Sequence, residues 1–270
     1  MESFCPACDR GVDDFEVGLR GRPRAKCPNC DALERHRLVA LLLRAHQPVL
    51  AQARTVLDVA PHGPNRRSIL SMTGGRYIGL DIDTRTGPSV LGSITELPFA
   101  TGSMDVILCM HVLEHIGDDE TAIRELARVL TTTGIAFVQV PRRSGQLTDE
   151  DPDAPAAERV SRFGQADHVR VYGDDFERRL YAAGLFPAAV YAEMFLSRED
   201  VYRFGLQPRE HLWICRTQRT ESDHFPTRTE TERRLAQEMA RRRRLELDPP
   251  VRIVRGLQRR LRRLRRSRTP

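Results

Sequence analysis

Lysine is almost missing from this chain of 270 residues: Lys26 stands alone against 42 arginines, a bias more in keeping with a GC-rich coding sequence than with 42 separate choices. Long apolar runs are missing too. The longest mainly apolar stretch, residues 38–43, is far below the roughly 18 residues a membrane-spanning helix needs. The first residues, Met1 to Cys5, have neither a basic start nor an apolar core, so secretion is not expected. Aromatic residues make up only 6%, and few accompany the arginines near the end of the chain, which weakens a single-strand stacking role there. Hydrophobic residues at 40% and charged residues at 30% exclude wholesale disorder and allow a buried core. At roughly 150 residues per domain, the length suggests one large domain with small additions.

A net charge of +6 suggests a nucleic-acid binder, but its distribution does not. Nine arginines and no acid lie between residues 249 and 270, and taking those nine charges away leaves the remaining 248 residues at −3. The body is mildly acidic and the end of the chain carries the basicity. There, Val254, Leu257, Leu261 and Leu264 form a narrow apolar stripe among the arginines. Such a stripe suits an amphipathic helix on anionic lipid, an RNA-binding arm or a solvated tail.

Six cysteines are present, and four fall in two C-P-x-C pairs, Cys5/Cys8 and Cys27/Cys30, separated by 18 residues. Zinc takes four thiolates in a tetrahedron, and each tight knuckle offers two, so the spacing reads as a zinc ribbon rather than a disulfide framework. A closed four-cysteine set leaves no open coordination position, which makes the metal structural. Cys109 and Cys215 are isolated in apolar surroundings. The pattern suits a reducing, cytoplasmic setting.

Residues 33–46 read as a helix with Leu38, Leu41, Leu42 and Ala45 on one face, ended by Pro48. Short apolar, β-rich runs follow at 55–60, 77–81, 106–110 and 135–140, with helical stretches near 66–72 and 120–130. A further helix is predicted over 174–183 and last strands over 186–191 and 211–216. This alternation predicts an α/β fold, a parallel sheet covered by helices on both faces. Residues 141–171 interrupt it with a polar segment, expected to be a lid or a disordered loop. A helix is expected over 230–247.

Two strand ends carry chemistry. The first is Asp58-Val59-Ala60-Pro61-His62-Gly63, where a cofactor over the carboxyl ends of parallel strands needs a tight turn. The second, Gly79-Leu80-Asp81-Ile82-Asp83, offers an acid that can accept from two ribose hydroxyls. They are followed by Ile94-Thr95-Glu96-Leu97-Pro98-Phe99, Ser103-Met104-Asp105-Val106-Ile107, His111-Val112-Leu113-Glu114-His115-Ile116, and the run from Arg124 through Leu130 to Gly134. This order resembles the "LPF…SFDVV…VLEH…RVLKPGG" series of class I S-adenosylmethionine-dependent methyltransferases of the type 11-like group, over residues 55–216. A narrower similarity is to bacterial methyltransferases whose N-terminal zinc ribbon runs into a "CPxC…RHR" helix, here Cys27 to Cys30 and Arg35-His36-Arg37, with a later Phe163 to Arg170.

The resemblance implies a doubly wound Rossmann-like methyltransferase sheet. It divides the chain into a zinc ribbon at 1–32, a methyltransferase domain at 33–218 and a basic, helical or disordered tail at 219–270. It implies S-adenosylmethionine as cofactor, with Asp58, Ala60 and Gly63 around the methionine end, Asp81 at the ribose, Ser93 and Ile94 beside the adenine, and Ile82 as a further cofactor contact. Met110 and His111 would border the transferred methyl. The chain departs from the family at Ala60, Pro61 and His62, where glycines are common, at Ser93, where an aspartate is usual, and at Thr131 to Thr133, in place of Lys-Pro-Gly.

A hydroxyl or amine acceptor must lose a proton, and His168 and His111 are the candidate bases. His111, Glu114 and His115 stand about one helical turn apart and can converge on a divalent ion, with His168 as a distant fourth ligand. That arrangement resembles the metal-dependent one in ubiquinone-pathway O-methyltransferases and small-RNA 2′-O-methyltransferases. The expected activity is O- or N-methylation of a small-molecule or glycan acceptor, because the body lacks a basic nucleic-acid face. An RNA methyltransferase using the ribbon or basic tail, and a methyltransferase fold serving as a binding scaffold, stand as alternatives. No membrane span is expected, although the tail allows peripheral contact.

Overall fold

The computed structural model describes residues 2–18, 21–207 and 210–219. The helix expected over 230–247 and the arginine-rich stripe lie outside them. At the amino end, β1 (Ser3–Cys5) and β2 (Arg10–Val12) form an antiparallel pair carrying the first cysteine knuckle. The chain then enters α1 (Glu34–Ala45) and α2 (Gln47–Gln52). Pro48 both stops the first helix and opens the second, since a proline in the first helical turn loses no needed N–H.

The alternating part comprises β3 (Thr55–Val59), α3 (Gly63–Leu70), β4 (Arg76–Asp81), β5 (Val90–Leu91), β6 (Met104–Met110), α4 (Asp119–Val129) and β7 (Leu130–Gln139). It continues with β8 (Asp149–Glu150), α5 (Ala156–Arg162), β9 (Arg170–Val171), α6 (Phe176–Ala182), β10 (Phe186–Tyr191), α7 (Ala192–Phe195), α8 (Arg198–Arg203) and β11 (His211–Arg216). Seven strands form one sheet in the order β10-β11-β7-β6-β3-β4-β5. β7, β6, β3, β4 and β5 run parallel, and β11 enters antiparallel between β7 and β10. This is the doubly wound α/β sheet the alternation predicts. β7 starts five residues earlier than expected, because Thr131 to Thr133 are β-branched and extend the strand back to the end of α4.

Both sheet faces are buried, which is why the strands read as continuous apolar runs. In β6, Val106 and Leu108 point to the layer of α1, α3 and α8, where they meet Leu38, Leu42, Ile69 and Val201. Ile107 and Cys109 point the other way, to Ile123 and Leu126 of α4 and Leu180 of α6.

The polar segment 141–171 is folded rather than loose. β8 and β9 pair antiparallel, and Ala154, Phe163 and Val171 make a small apolar cluster. Arg162 holds Asp149 at 2.6 Å, Asp151 at 3.1 Å and Glu158 at 2.8 Å. The segment looks like a loop in sequence because ion pairs supply much of its order.

Candidate active site

The parallel register brings the strand ends to one level. Val59 of β3 is paired with Leu80 of β4 and with Cys109 of β6. The next residue of each strand is therefore Ala60, Asp81 or Met110, in one row along the carboxyl edge of the sheet. Ligands of doubly wound folds bind outside this edge. Ala60 (φ 51°) and His111 (φ 56°) both adopt left-handed backbone, so β3 and β6 each end in a turn that L-residues enter at a cost. Ala60 takes the conformation a glycine would favour, at the position where the methyltransferases the sequence resembles commonly have one.

Around this row, Asp81 receives the backbone N–H of Asp83 on Oδ1 (3.1 Å) and the Thr86 hydroxyl on Oδ2 (2.9 Å). The following Ile82 is 76% exposed, an uncovered apolar side chain beside the acid. Ser93, two residues beyond β5, bonds the Thr95 hydroxyl at 2.7 Å, and Ile94 is buried beneath it. Gly63 opens α3. Asp58 lies inside the sheet, where it accepts from the Tyr77 hydroxyl at 2.8 Å. Burial pushes its carboxyl up to about 7 against the lowering effect of that hydrogen bond. A left-handed turn, an acid and an exposed apolar side chain along one edge suit the methionine end, ribose and adenine of S-adenosylmethionine.

His111 follows β6, and its N–H donates to Gln139 O (2.8 Å). Its Nδ1 lies 3.1 Å from Oε1 of Glu114, which is fully buried. A carboxylate on Nδ1 favours the tautomer with the proton there and leaves Nε2 as the basic atom. Nε2 has no hydrogen-bond partner among the described residues.

His168 stands elsewhere. It is buried beside Glu114 and His115, its Nδ1 3.1 Å from Phe163 O and its ring edge-on to His115 with centroids 4.6 Å apart. Burial holds its imidazole below the usual range. Ligand atoms of Glu114, His115 and His168 lie within 4.8 Å of one another. His168, expected as a distant fourth member, is thus in the compact set, while His111 reaches it only through Glu114. Arg170 fixes the turn that carries Glu114 and His115 by donating to the carbonyls of Leu113 (3.0 Å), Gly117 (2.9 Å) and Ile116.

The four ribbon cysteines converge, with Sγ atoms of Cys5 and Cys30 3.8 Å apart and those of Cys8 and Cys27 3.9 Å apart. With zinc–sulfur bonds of about 2.3 Å, a regular tetrahedron has sulfur–sulfur edges of about 3.8 Å, so the set fits zinc. Each knuckle closes in the same way. Asp9 and Asp31, directly after the second cysteine, take left-handed backbone and donate N–H to the carbonyls of Cys5 and Cys27. Burial pushes the metal-free Cys8 thiol up to about 12, so binding zinc must displace protons.

Sequence reasoning passed over the second wall of the site. A cavity of about 270 Å³ opens beside His111, between the ends of β6 and β7, the start of β11 and the amino end of α1. Arg22, Glu34, Arg35, Arg142 and Glu210 line it. Its one signal in the sequence was the Arg35-His36-Arg37 run, which had carried a resemblance and no role. His36 stacks on His62, and Arg37 is wholly buried.

Residues 57–138 match the family model described as a methyltransferase domain, and the strand ends above lie within or beside the matched stretch. The chain is 35% identical over 111 residues to an uncharacterized methyltransferase of Mycobacterium sp. (strain JLS), covering 37% of this chain and 44% of that protein. It is 30% identical over 100 residues to a probable S-adenosylmethionine-dependent methyltransferase of Mycolicibacterium smegmatis, covering 33% and 39%. The chain thus spans less than half the length of these curated relatives. Among solved structures, a putative sarcosine dimethylglycine methyltransferase from Galdieria sulphuraria aligns with a TM-score of 0.48 at 17% identity, over 67% of this chain and 84% of that one. Among the described residues no helix is long and apolar enough to cross a membrane.

Proposed function

We propose that this protein is an S-adenosylmethionine-dependent methyltransferase acting on a small-molecule or glycan acceptor. The observation that carries the reading is the row of Ala60, Asp81 and Met110 along one sheet edge, in and around residues matched to a methyltransferase domain. S-adenosylmethionine, when bound, supplies a methyl group activated by a sulfonium.

The chain's residues do the rest. Asp81 accepts from the ribose hydroxyls, Ile82 and Ile94 cover the adenine with Ser93 at its edge, and the turn from Asp58 through Ala60 to Gly63 receives the methionine end. Met110 and His111 border the methyl. Methyl transfer to a nucleophile is an in-line displacement, so alignment supplies much of the rate. His111 takes the acceptor's proton at Nε2, with Glu114 holding Nδ1. His168 is a positioning residue behind Glu114.

A second reading adds a metal. Oε2 of Glu114 and Nε2 of His168 are buried without partners among the described residues, and His115 lies with them. An acid and two imidazoles suit a divalent ion, which would act as a Lewis acid on an acceptor oxygen. Metal analysis tests this: a divalent ion beyond the ribbon zinc, lost in His168→Ala, supports it, and ribbon zinc alone in fully active protein rejects it.

Calorimetric titration with S-adenosylmethionine and S-adenosylhomocysteine tests the main reading. Saturable binding is expected, weakened about 10- to 100-fold by Asp81→Ala, the scale of losing hydrogen bonds to a charged group. Absence of binding to folded, zinc-loaded protein rejects the enzyme reading in favour of a scaffold. If the acceptor is RNA, its binding will fall steeply as salt rises.

A further inference from the structure

The cavity beside His111 has an unusual balance of unmet hydrogen-bonding groups. Glu34 is fully buried on α1; Arg22 of the ribbon lies 2.9 Å from its Oε1, and Oε2 has no hydrogen-bond partner among the described residues. Arg35, the next residue, has no hydrogen-bonded or ion-paired partner at contact distance among the described residues, although Glu210, Glu34 and Glu114 all act on its charge. Glu210 faces both across the cavity and is tied at 2.8 Å to the side-chain amide of Gln139. Arg142 is already committed to Asp174 at 2.6 Å.

The wall therefore offers fixed acceptors and fixed donors in near balance, and few apolar atoms beyond Val140 and Pro141. An anionic ligand would meet Glu34 and Glu210, and a cationic one would meet Arg22 and Arg35. An apolar ligand would strip water from all of them without replacing its hydrogen bonds. A hydroxyl is different: it donates and accepts through the same oxygen, so it serves carboxylate and guanidinium alike.

We infer that this cavity is the acceptor site, that it takes an uncharged polyhydroxylated acceptor of sugar size, and that the ribbon and α1 select it through Arg22, Glu34 and Arg35. One acceptor hydroxyl then lies toward His111, as methylation requires. The cavity volume of about 270 Å³ suits a single sugar unit better than a base-paired nucleic acid. The inference rests on the methyl-transfer reading, and the experiment keeps the two separable.

Zinc-loaded full-length protein is first titrated with S-adenosylhomocysteine, which tests the methyl-transfer reading alone. The saturated complex is then titrated calorimetrically with methyl glucoside, glucuronate and glucosamine, each up to about 50 mM, above the millimolar scale of weak single-site binding. Methyl glucoside should saturate, with the acid and the amine at least about tenfold weaker, the price of one unpaired charge. Arg35→Gln, at a half-buried helical position, should weaken methyl glucoside by about tenfold or more while leaving S-adenosylhomocysteine within about twofold. Glu34→Gln should do the same and relax the exclusion of glucuronate. If S-adenosylhomocysteine binds but methyl glucoside does not, or if either charged sugar binds as well as the neutral one, the inference is overturned and the methyl-transfer reading survives. Unchanged sugar binding in folded Arg35→Gln overturns it equally.

Discussion

The imidazoles of His36 and His62 stack face to face, centroids 4.3 Å apart and planes 28° from parallel. One ring belongs to α1 and the other closes the turn that begins at Ala60, so the helix leaving the four-cysteine segment braces the proposed cofactor turn. Burial, reinforced by the neighbouring Arg35, pulls His36 down to about 2, and burial also lowers His62. Both rings stay neutral in the folded protein at ordinary pH.

This stack predicts acid sensitivity. A histidine whose folded pKa lies below its unfolded value contributes its full stability above about pH 6.5 and loses it as pH falls. Melting temperature should therefore drop between pH 7 and about 4.5, and drop less in His36→Gln, whose amide can still accept the Leu33 N–H that His36 Nδ1 accepts now at 3.1 Å. Equal slopes for the two proteins would remove the stack from the account.

Arg37 is predicted to be the strongest stability determinant outside the apolar core. Its guanidinium donates to five carbonyls, those of Arg24, Ala25, Ala32, Phe204 and Gly205, at 2.6 to 3.0 Å. They come from the cysteine-bearing segment and from the two residues that follow α8. Gly205, at φ 60°, lies so close to Phe15 and Arg37 that a Cβ there would collide. Arg37→Ala should cost about 3 kcal/mol or more in urea unfolding, since buried acceptors lose every partner. Arg37→Lys should recover little, because an ammonium cannot span this fork.

Chelation should act on the whole protein. Zinc content near one per chain is expected from the ribbon, or more if the Glu114 set also binds. Removal by a strong chelator should lower the melting temperature and loosen Arg22 and Arg35 along with the knuckles, as limited proteolysis can show. A protein that melts identically with and without chelator would make the ribbon cysteines something other than a structural metal site.

Ala60→Gly should stabilise the cofactor-free protein by about 0.5 to 1 kcal/mol. It relieves a left-handed alanine, partly offset by the greater freedom of glycine in the unfolded chain. Ala60→Val should destabilise by more, because a β-branched side chain suffers most at positive φ. Thermal melts of the two variants give the signs directly.

The sheet was legible because strands such as β3, β6 and β11 are buried on both faces; 186–191 and 211–216 match β10 and β11 to the residue, although β10 is a half-buried edge strand. The Cys₄ set was legible because knuckle spacing is a local property. The segment 141–171 was not, since its order comes from pairs such as Arg162 with Asp149, whose partners lie 13 residues apart without periodicity. The approach of His168 to Glu114 was half legible: both residues stood out as chemistry, but their separation of 54 positions is closed by the tertiary fold alone. Glu34 and Arg35 resembled an ordinary charged first turn of a helix. Only the docking of α1 against the strand ends turns them into a cavity wall.

The direction of β11 has a practical consequence. His211 begins that strand at the edge occupied by His111, and Arg216 ends it at the opposite edge, near Thr131, whose carbonyl accepts from the Thr217 hydroxyl. Six residues of strand carry the chain about 17 Å across the domain. Arg216 and Thr217 therefore stand on the side of the sheet away from the cavity. A surface linkage at the exposed Gln218 attaches to that far side, whereas one made in the cysteine-bearing segment attaches to a wall of the cavity. For immobilised binding assays, Gln218 is the position to choose.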